Sequence, residues 1–263
     1  MNINDIIQGR HGDCFILASI ISILHTVGIE IINKIIVDDI KPFYYFNFWK
    51  NKKKYSVKLN ETDIKTISPK CKEWVKKIEY GYIYVFYSND TKKIIDAGGL
   101  AQKVIADLVG IKPKLYVNRL FDNIESDLIL YHEFLEWNNN FITKDIEKWL
   151  NMIWFSLVSI TDFQEDEKNK IFTLKYPCVL GVYSKKNIKG VINEHAYSIL
   201  GIMIDEFSNK FIQVFNPQRD VDCRKTGYSS EKQTFISKIE KGRYGIWSLD
   251  ECSLYVSDFT ISI

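Results

Sequence analysis

Cys14, His195 and Asn216 are the residues of this chain best placed to do chemistry. Cys14 follows the polar turn His11-Gly12-Asp13 and opens the apolar run "FILASIISIL" (15–24). A thiol in the first turn of a helix lies at the positive end of the helix dipole, which lowers its pKa and favours thiolate. The same position equally suits a small buried core residue, so the neighbours decide. His195 begins "HAYSILGIMI" and Asn216 ends "FIQVFN", and the turn "DEFSNK" (205–210) makes these strands a hairpin. A hairpin centred there sets position 199 opposite 216, which puts both side chains on one face near one end. An amide beside an imidazole fixes the ring's tautomer and leaves the other nitrogen free to take a thiol proton. Gln8, six residues before Cys14, adds an amide donor able to reach an oxyanion together with the Cys14 backbone N–H.

The elements that must hold these groups follow from periodicity. Residues 14–28 read as a buried helix, with Asp13 a candidate N-cap and Gly28 a stop. "FYYFNFW" (43–49) and "KYSVKL" (54–59) read as strands about a lysine-rich turn. Helices are expected over 68–86, where Trp74, Ile78 and Tyr82 recur at i, i+4, i+8, and over 98–110. Beyond Pro113 a helix at 143–160 gives way to strands at 177–184, 195–204 and 211–215. The halves 1–115 and 116–263 are therefore expected to be a helical and a β-rich subdomain, with a cleft between them.

Composition narrows the partners. With 35 basic against 33 acidic residues the net charge is +2, which argues for neither nucleic-acid nor membrane partners. Five cysteines without a C-x-x-C pair suit a reducing compartment rather than a disulfide framework. The expected location is the cytoplasm, of its own cell or of another into which it is delivered. The run at 15–24 has signal-peptide length but lacks an A-x-A-like cleavage site, and it is too short to span a bilayer. Neither a signal peptide nor a transmembrane segment is expected.

Cysteine on a helix, then histidine and asparagine on adjacent strands, is the chain order of papain-like cysteine proteases. "QGRHGDCFILA" (8–18) resembles the calpain motif Q-G-x-x-G-D-C-W-x-L-A. "WVKKIEYGY" (74–82) is similar to W-x-x-x-x-E-K-A-Y, and "GGLAQKVIADLVG" (98–110) to the G-G segment leading to D-L-T-G. "EHAYSILGI" resembles G-H-A-Y-S-V-x-G, "FNPQRD" R-N-P-W-G, and "GIWSLDEC" F-W-M-S-x-x-D-F. The matches run in family order along the chain. The resemblance implies an α+β, papain-like two-lobed protease core acting on protein substrates. Cys14 would be the nucleophile, His195 the base and acid, Asn216 its orienter, and Gln8 part of the oxyanion hole. Gly99 would lie along a bound peptide, where a missing Cβ lets backbones approach.

Calcium is the cofactor the resemblance implies, with Asp5 and Glu79 as ligands in the first half. In the second half only Asp222 falls at a ligand position, because the family's D-G-E before F-W is replaced by "RYGIW" (243–247). Phe15 and Gln218 replace tryptophans, and Trp247 is a candidate to shield the His–Asn pair instead. Glu194 replaces the glycine before the histidine; a carboxylate there should raise the imidazole's pKa and favour basic or small substrate residues. The same triad would also serve a deamidase or transglutaminase-like enzyme, and the fold alone could serve as a non-catalytic binding domain.

Overall fold

The computed structural model describes residues 1–9, 12–50, 53–64, 66–87, 98–118, 141–183, 187–218, 222–232 and 234–262. Expectations that touch Arg10, His11, 51–52, 119–120, Ser184 and 219–220 lie outside the described residues.

Helix α1 (Cys14–Thr26) is buried at every position from Cys14 to Leu24, as a helix apolar on all sides must be. After α2 (Ile29–Ile35), strands β1 (Ile36–Ile40), β2 (Phe43–Lys50) and β3 (Lys53–Asn60) form an antiparallel sheet in that order. Strand β2 alternates buried and half-buried residues and sends Tyr44, Phe46 and Phe48 into the core. Two helices complete this half, α3 (Glu73–Phe86) and α4 (Ala101–Val109). Helix α3 starts five residues later than the periodicity suggests, because residues 68–72 are spent on a turn. Gly110 ends α4 at φ +75°, and the ring of Trp49 lies 2.6 Å from where its Cβ would be. The first half is thus helices on a small sheet.

The second half is a single large sheet. Its elements are β4 (Lys114–Asn118), β5 (Phe141–Thr143), α5 (Ile146–Ser159), β6 (Phe172–Thr173), β7 (Cys178–Val182), β8 (His195–Ile204), β9 (Lys210–Phe215), β10 (Asp222–Ser229), β11 (Thr234–Lys241), β12 (Tyr244–Ser248), α6 (Leu249–Cys252) and β13 (Val256–Ile261). The strand order is β11-β10-β12-β9-β8-β7-β13-β4-β5, with β6 on β8.

Strands β7 and β8 are buried on both faces, so their sequences run apolar without alternation. On one face Val179, Ala196 and Leu200 join the core built on α1. On the other Leu180, Tyr197 and Ile202 join the core of Trp149 and Trp247. Serines seam α1 to this sheet. Ser22 Oγ donates to the Cys178 carbonyl (2.8 Å) and accepts from its N–H (2.6 Å), while Ser198 Oγ donates to the Ala18 carbonyl at 2.7 Å. The chain is therefore α+β, with the helix that begins at Cys14 lying directly on the histidine-bearing strand.

The β8–β9 hairpin pairs Ser198 with Phe215 and carries a bulge between Ile199 and Gly201. That register is two residues from the expected one, because the loop closes over Asp205–Asn209 and the bulge absorbs one more residue. A shift of two preserves the face, so His195 and Asn216 still meet.

Candidate active site

His195 Nε2 lies 2.8 Å from Asn216 Oδ1. The same oxygen accepts the Gln218 backbone N–H at 2.9 Å. Because that N–H can only donate, it fixes which way the Asn216 amide faces. Nε2 must then carry the hydrogen it shares with Oδ1, and Nδ1 is left as the basic nitrogen. This is the arrangement the sequence suggests, with the Gln218 backbone as a participant it did not reveal.

The electrostatics differ from expectation. Burial pushes the Cys14 thiol up to about 11, against the pull of the Ala196 N–H, and the Asp13 carboxylate adds to the rise. Desolvation therefore outweighs the helix dipole. Burial likewise lowers His195 to about 4, with Asn216 and then Asp13 opposing it. The carboxylate of Glu194 does not contribute to that shift. Glu194 is exposed, and water screens its charge. Burial thus favours the neutral form of each, thiol and imidazole alike.

Glu194 has φ +52°, a conformation that glycine adopts freely and an L-residue does not, which accounts physically for the glycine of the family motif. The aromatic cover also differs from expectation. Tyr197 stands edge-on to the His195 ring with centroids 5.0 Å apart, and Trp247 packs behind Tyr197 at 4.8 Å. Trp247 therefore supports the cover without forming it. Even so, His195 is 7% and Asn216 1% exposed.

Beside Cys14 the structure adds a buried acid cluster. Ser68 Oγ lies 3.0 Å from Asp13 Oδ2 and 2.8 Å from Glu79 Oε1, and Ser68 N–H donates to Glu79 Oε2 at 3.2 Å. Burial, then the neighbouring Asp13, raises Glu79 well above the ordinary carboxyl range. Asp13 is at the N-cap position but makes no side-chain cap bond; its carboxylate is turned to Ser68 instead.

Asp5 accepts from the Asn2 N–H (2.9 Å) and the Trp74 indole N–H (3.3 Å). Both donors share Asp5 Oδ2, and the N–H and hydroxyl of Ser68 already face the two Glu79 oxygens, so three of the four acid oxygens are engaged by protein donors rather than open to a cation. Asp222 is exposed beside a depression lined by residues 187–192, whose charged side chain, Lys189, is itself a cation. Among the described residues no group of three or more His, Cys, Asp or Glu could hold a metal. Asp5, Glu79 and Asp222 as they stand do not fit a calcium site.

Gln8 is placed by its backbone. Its N–H donates to the Pro217 carbonyl at 3.0 Å, forming an isolated parallel bridge to Gln218. Gly99 sits against the residue after Cys14: a Cβ there would lie 2.5 Å from the Phe15 ring. The motif residues Trp74 and Tyr82 also find roles, the first on Asp5 and the second donating to buried Asp107 at 3.0 Å.

A cysteine at the start of the helix packed on β8, a histidine on that strand and an asparagine on its Nε2 are the residue types a cysteine-peptidase site uses. The family model for calpain family cysteine proteases matches residues 1–257, and the chain belongs to that family. A search of curated proteins found no match. Among the described residues no helix is long and apolar enough to cross a membrane.

Proposed function

We propose that this chain is a cysteine endopeptidase that hydrolyses protein substrates through a thioester acyl-enzyme. His195 Nδ1 takes the Cys14 proton, and the thiolate attacks the scissile carbonyl carbon. The Cys14 N–H and the Gln8 side-chain amide stabilise the oxyanion. The imidazolium gives its proton to the leaving amine, and the C–N bond breaks to leave the thioester. His195 then deprotonates water, which attacks the thioester, and Cys14 departs as thiolate to be reprotonated.

Because burial favours the neutral form of both groups, the proton must move as substrate arrives and water leaves. In this reading Gly99 offers its backbone to the peptide, Glu194 places an acid at the cleft mouth, and the segments 1–115 and 116–263 form its two walls. No step uses calcium. The observation that carries the proposal is the His195–Asn216 bond, held from behind by the Gln218 N–H.

The test is an epoxysuccinyl thiol-protease probe applied with calcium and with chelator, beside Cys14→Ala, with intact mass and peptide mapping as readouts. One adduct at Cys14 in both conditions, together with cleavage of a denatured protein, is the expected result. Single-residue mass changes in the substrate without chain cleavage would favour a deamidase. Absence of an adduct in both conditions would leave the chain as a binding domain of this fold.

A further inference from the structure

We infer that Arg243 is a positioning residue that aligns the two halves of the site. Its guanidinium donates to three backbone carbonyls. Nε donates to the Asn216 carbonyl at 2.8 Å, and one terminal nitrogen donates to the Pro217 carbonyl at 3.0 Å and to the Ile6 carbonyl at 2.5 Å. The group lies over the ring of fully buried Phe215, 4.3 Å from its centre. The Arg243 backbone grips the same place, since its carbonyl accepts the Asn216 N–H at 2.8 Å. Asn216 is therefore held by Arg243 at both its N–H and its C=O.

The second hand of the fork reaches the first half of the chain. Residues 5–8 are clamped all along their backbone. The Asp5 carbonyl accepts Lys72 N–H, Ile7 exchanges bonds with the Cys71 thiol, and Gln8 N–H meets the Pro217 carbonyl. Arg243 closes this clamp at Ile6. One cation thus ties the segment leading to the oxyanion-hole candidate, Gln8, to the residue that sets the tautomer of His195. Planar geometry with several divergent donors is what three carbonyls on two segments require, and a lysine ammonium cannot reproduce it. "RYGIW" replaces acids in the family pattern, so here a half-buried cation stands where that pattern places negative charge.

The inference rests on the peptidase reading, and its test separates the two. Wild type, Arg243→Ala and Arg243→Lys are titrated with the epoxysuccinyl probe to obtain kinact and KI, with thermal melts to establish folding. Displacing catalytic groups by about 1 Å costs about 100-fold in rate, so kinact of Arg243→Ala should fall by roughly that factor while KI stays within about twofold. Arg243→Lys should recover less than about tenfold, because it can reach one or two carbonyls but not span all three. Millimolar guanidinium, but not equal sodium chloride, should raise the Arg243→Ala rate. A folded Arg243→Ala with wild-type kinact, or one unresponsive to guanidinium, overturns the inference. If Arg243→Ala does not fold, a folded Arg243→Lys decides it: lowered kinact supports the role and an unchanged value refutes it. An unlabelled wild type would instead sink the peptidase reading.

Discussion

Replacing His195 by glutamine should flatten the acid limb of the protein's stability curve. His195 is 7% exposed and its pKa falls from 6.5 to about 4, so the folded state excludes a proton that the unfolded chain takes up. A depressed pKa contributes stability that is complete above 6.5 and lost as pH falls through 4. At 1.36 kcal/mol per unit, the 2.5-unit shift gives about 3 kcal/mol in all, of which about 2 is lost between about pH 8 and pH 5. Urea unfolding of wild type and His195→Gln at these two pH values isolates the contribution, since every other titrating group is common to both. Wild type should lose about 2 kcal/mol more than the variant over that interval. Parallel curves would refute the claim that this imidazole is buried and neutral. A steeper loss in the variant would reverse the sign and refute it more severely.

Three further outcomes follow from the same geometry. Alkylation of Cys14 by iodoacetamide should climb about tenfold per pH unit through neutrality, as a thiol near 11 requires; a rate plateau between about pH 5 and 8 would reveal a standing thiolate–imidazolium pair. Glu194→Gly should raise stability by about 0.5–1 kcal/mol, the left-handed strain of about 1–2 exceeding glycine's entropic penalty, and a lower melting temperature would contradict this. Gly99→Ala should cost about 1–3 kcal/mol by driving a methyl into Phe15; adding Phe15→Leu should restore much of the loss, whereas strict additivity would place the strain elsewhere.

How much of this could be read beforehand depended on how local each signal was. Helix α1 and strands β2, β3, β8 and β9 were legible because their apolar runs are bounded by clear turns. Strands β10 and β11 were not: "DCRKTGYS" and "TFISKIEK" are too polar to signal strands, and pairing along the sheet's outer edge forms them. Strand β1, with two aspartates in "IVDDI", escaped for the same reason. At the candidate site, Cys14, His195 and Asn216 were singled out by residue type and chain order, and the structure joins the last two. Their acid–base state did not, because burial is a property of the whole fold and here outweighs the helix dipole. The Asp13–Ser68–Glu79 cluster joins residues 55 and 11 positions apart, a separation without a sequence signature. Arg243 was visible only as a missing acid; its three carbonyl partners exist only in the assembled structure.

Ile6 and Arg243 are separated by 237 positions, and that distance sets an order of events during synthesis. Cys14 is made before His195 and Asn216, and α1 can form while those strands are still to come. Yet the carbonyl at Ile6 waits for its guanidinium until nearly all of the sheet has been translated, and His195 and Asn216 also come late. Closing so long a loop is slow and is repaid only when the surrounding contacts exist. The nascent chain therefore carries Cys14 before the imidazole and amide of His195 and Asn216 exist. Until Arg243 is made, the Ile6 and Asn216 carbonyls lack the donor that joins them.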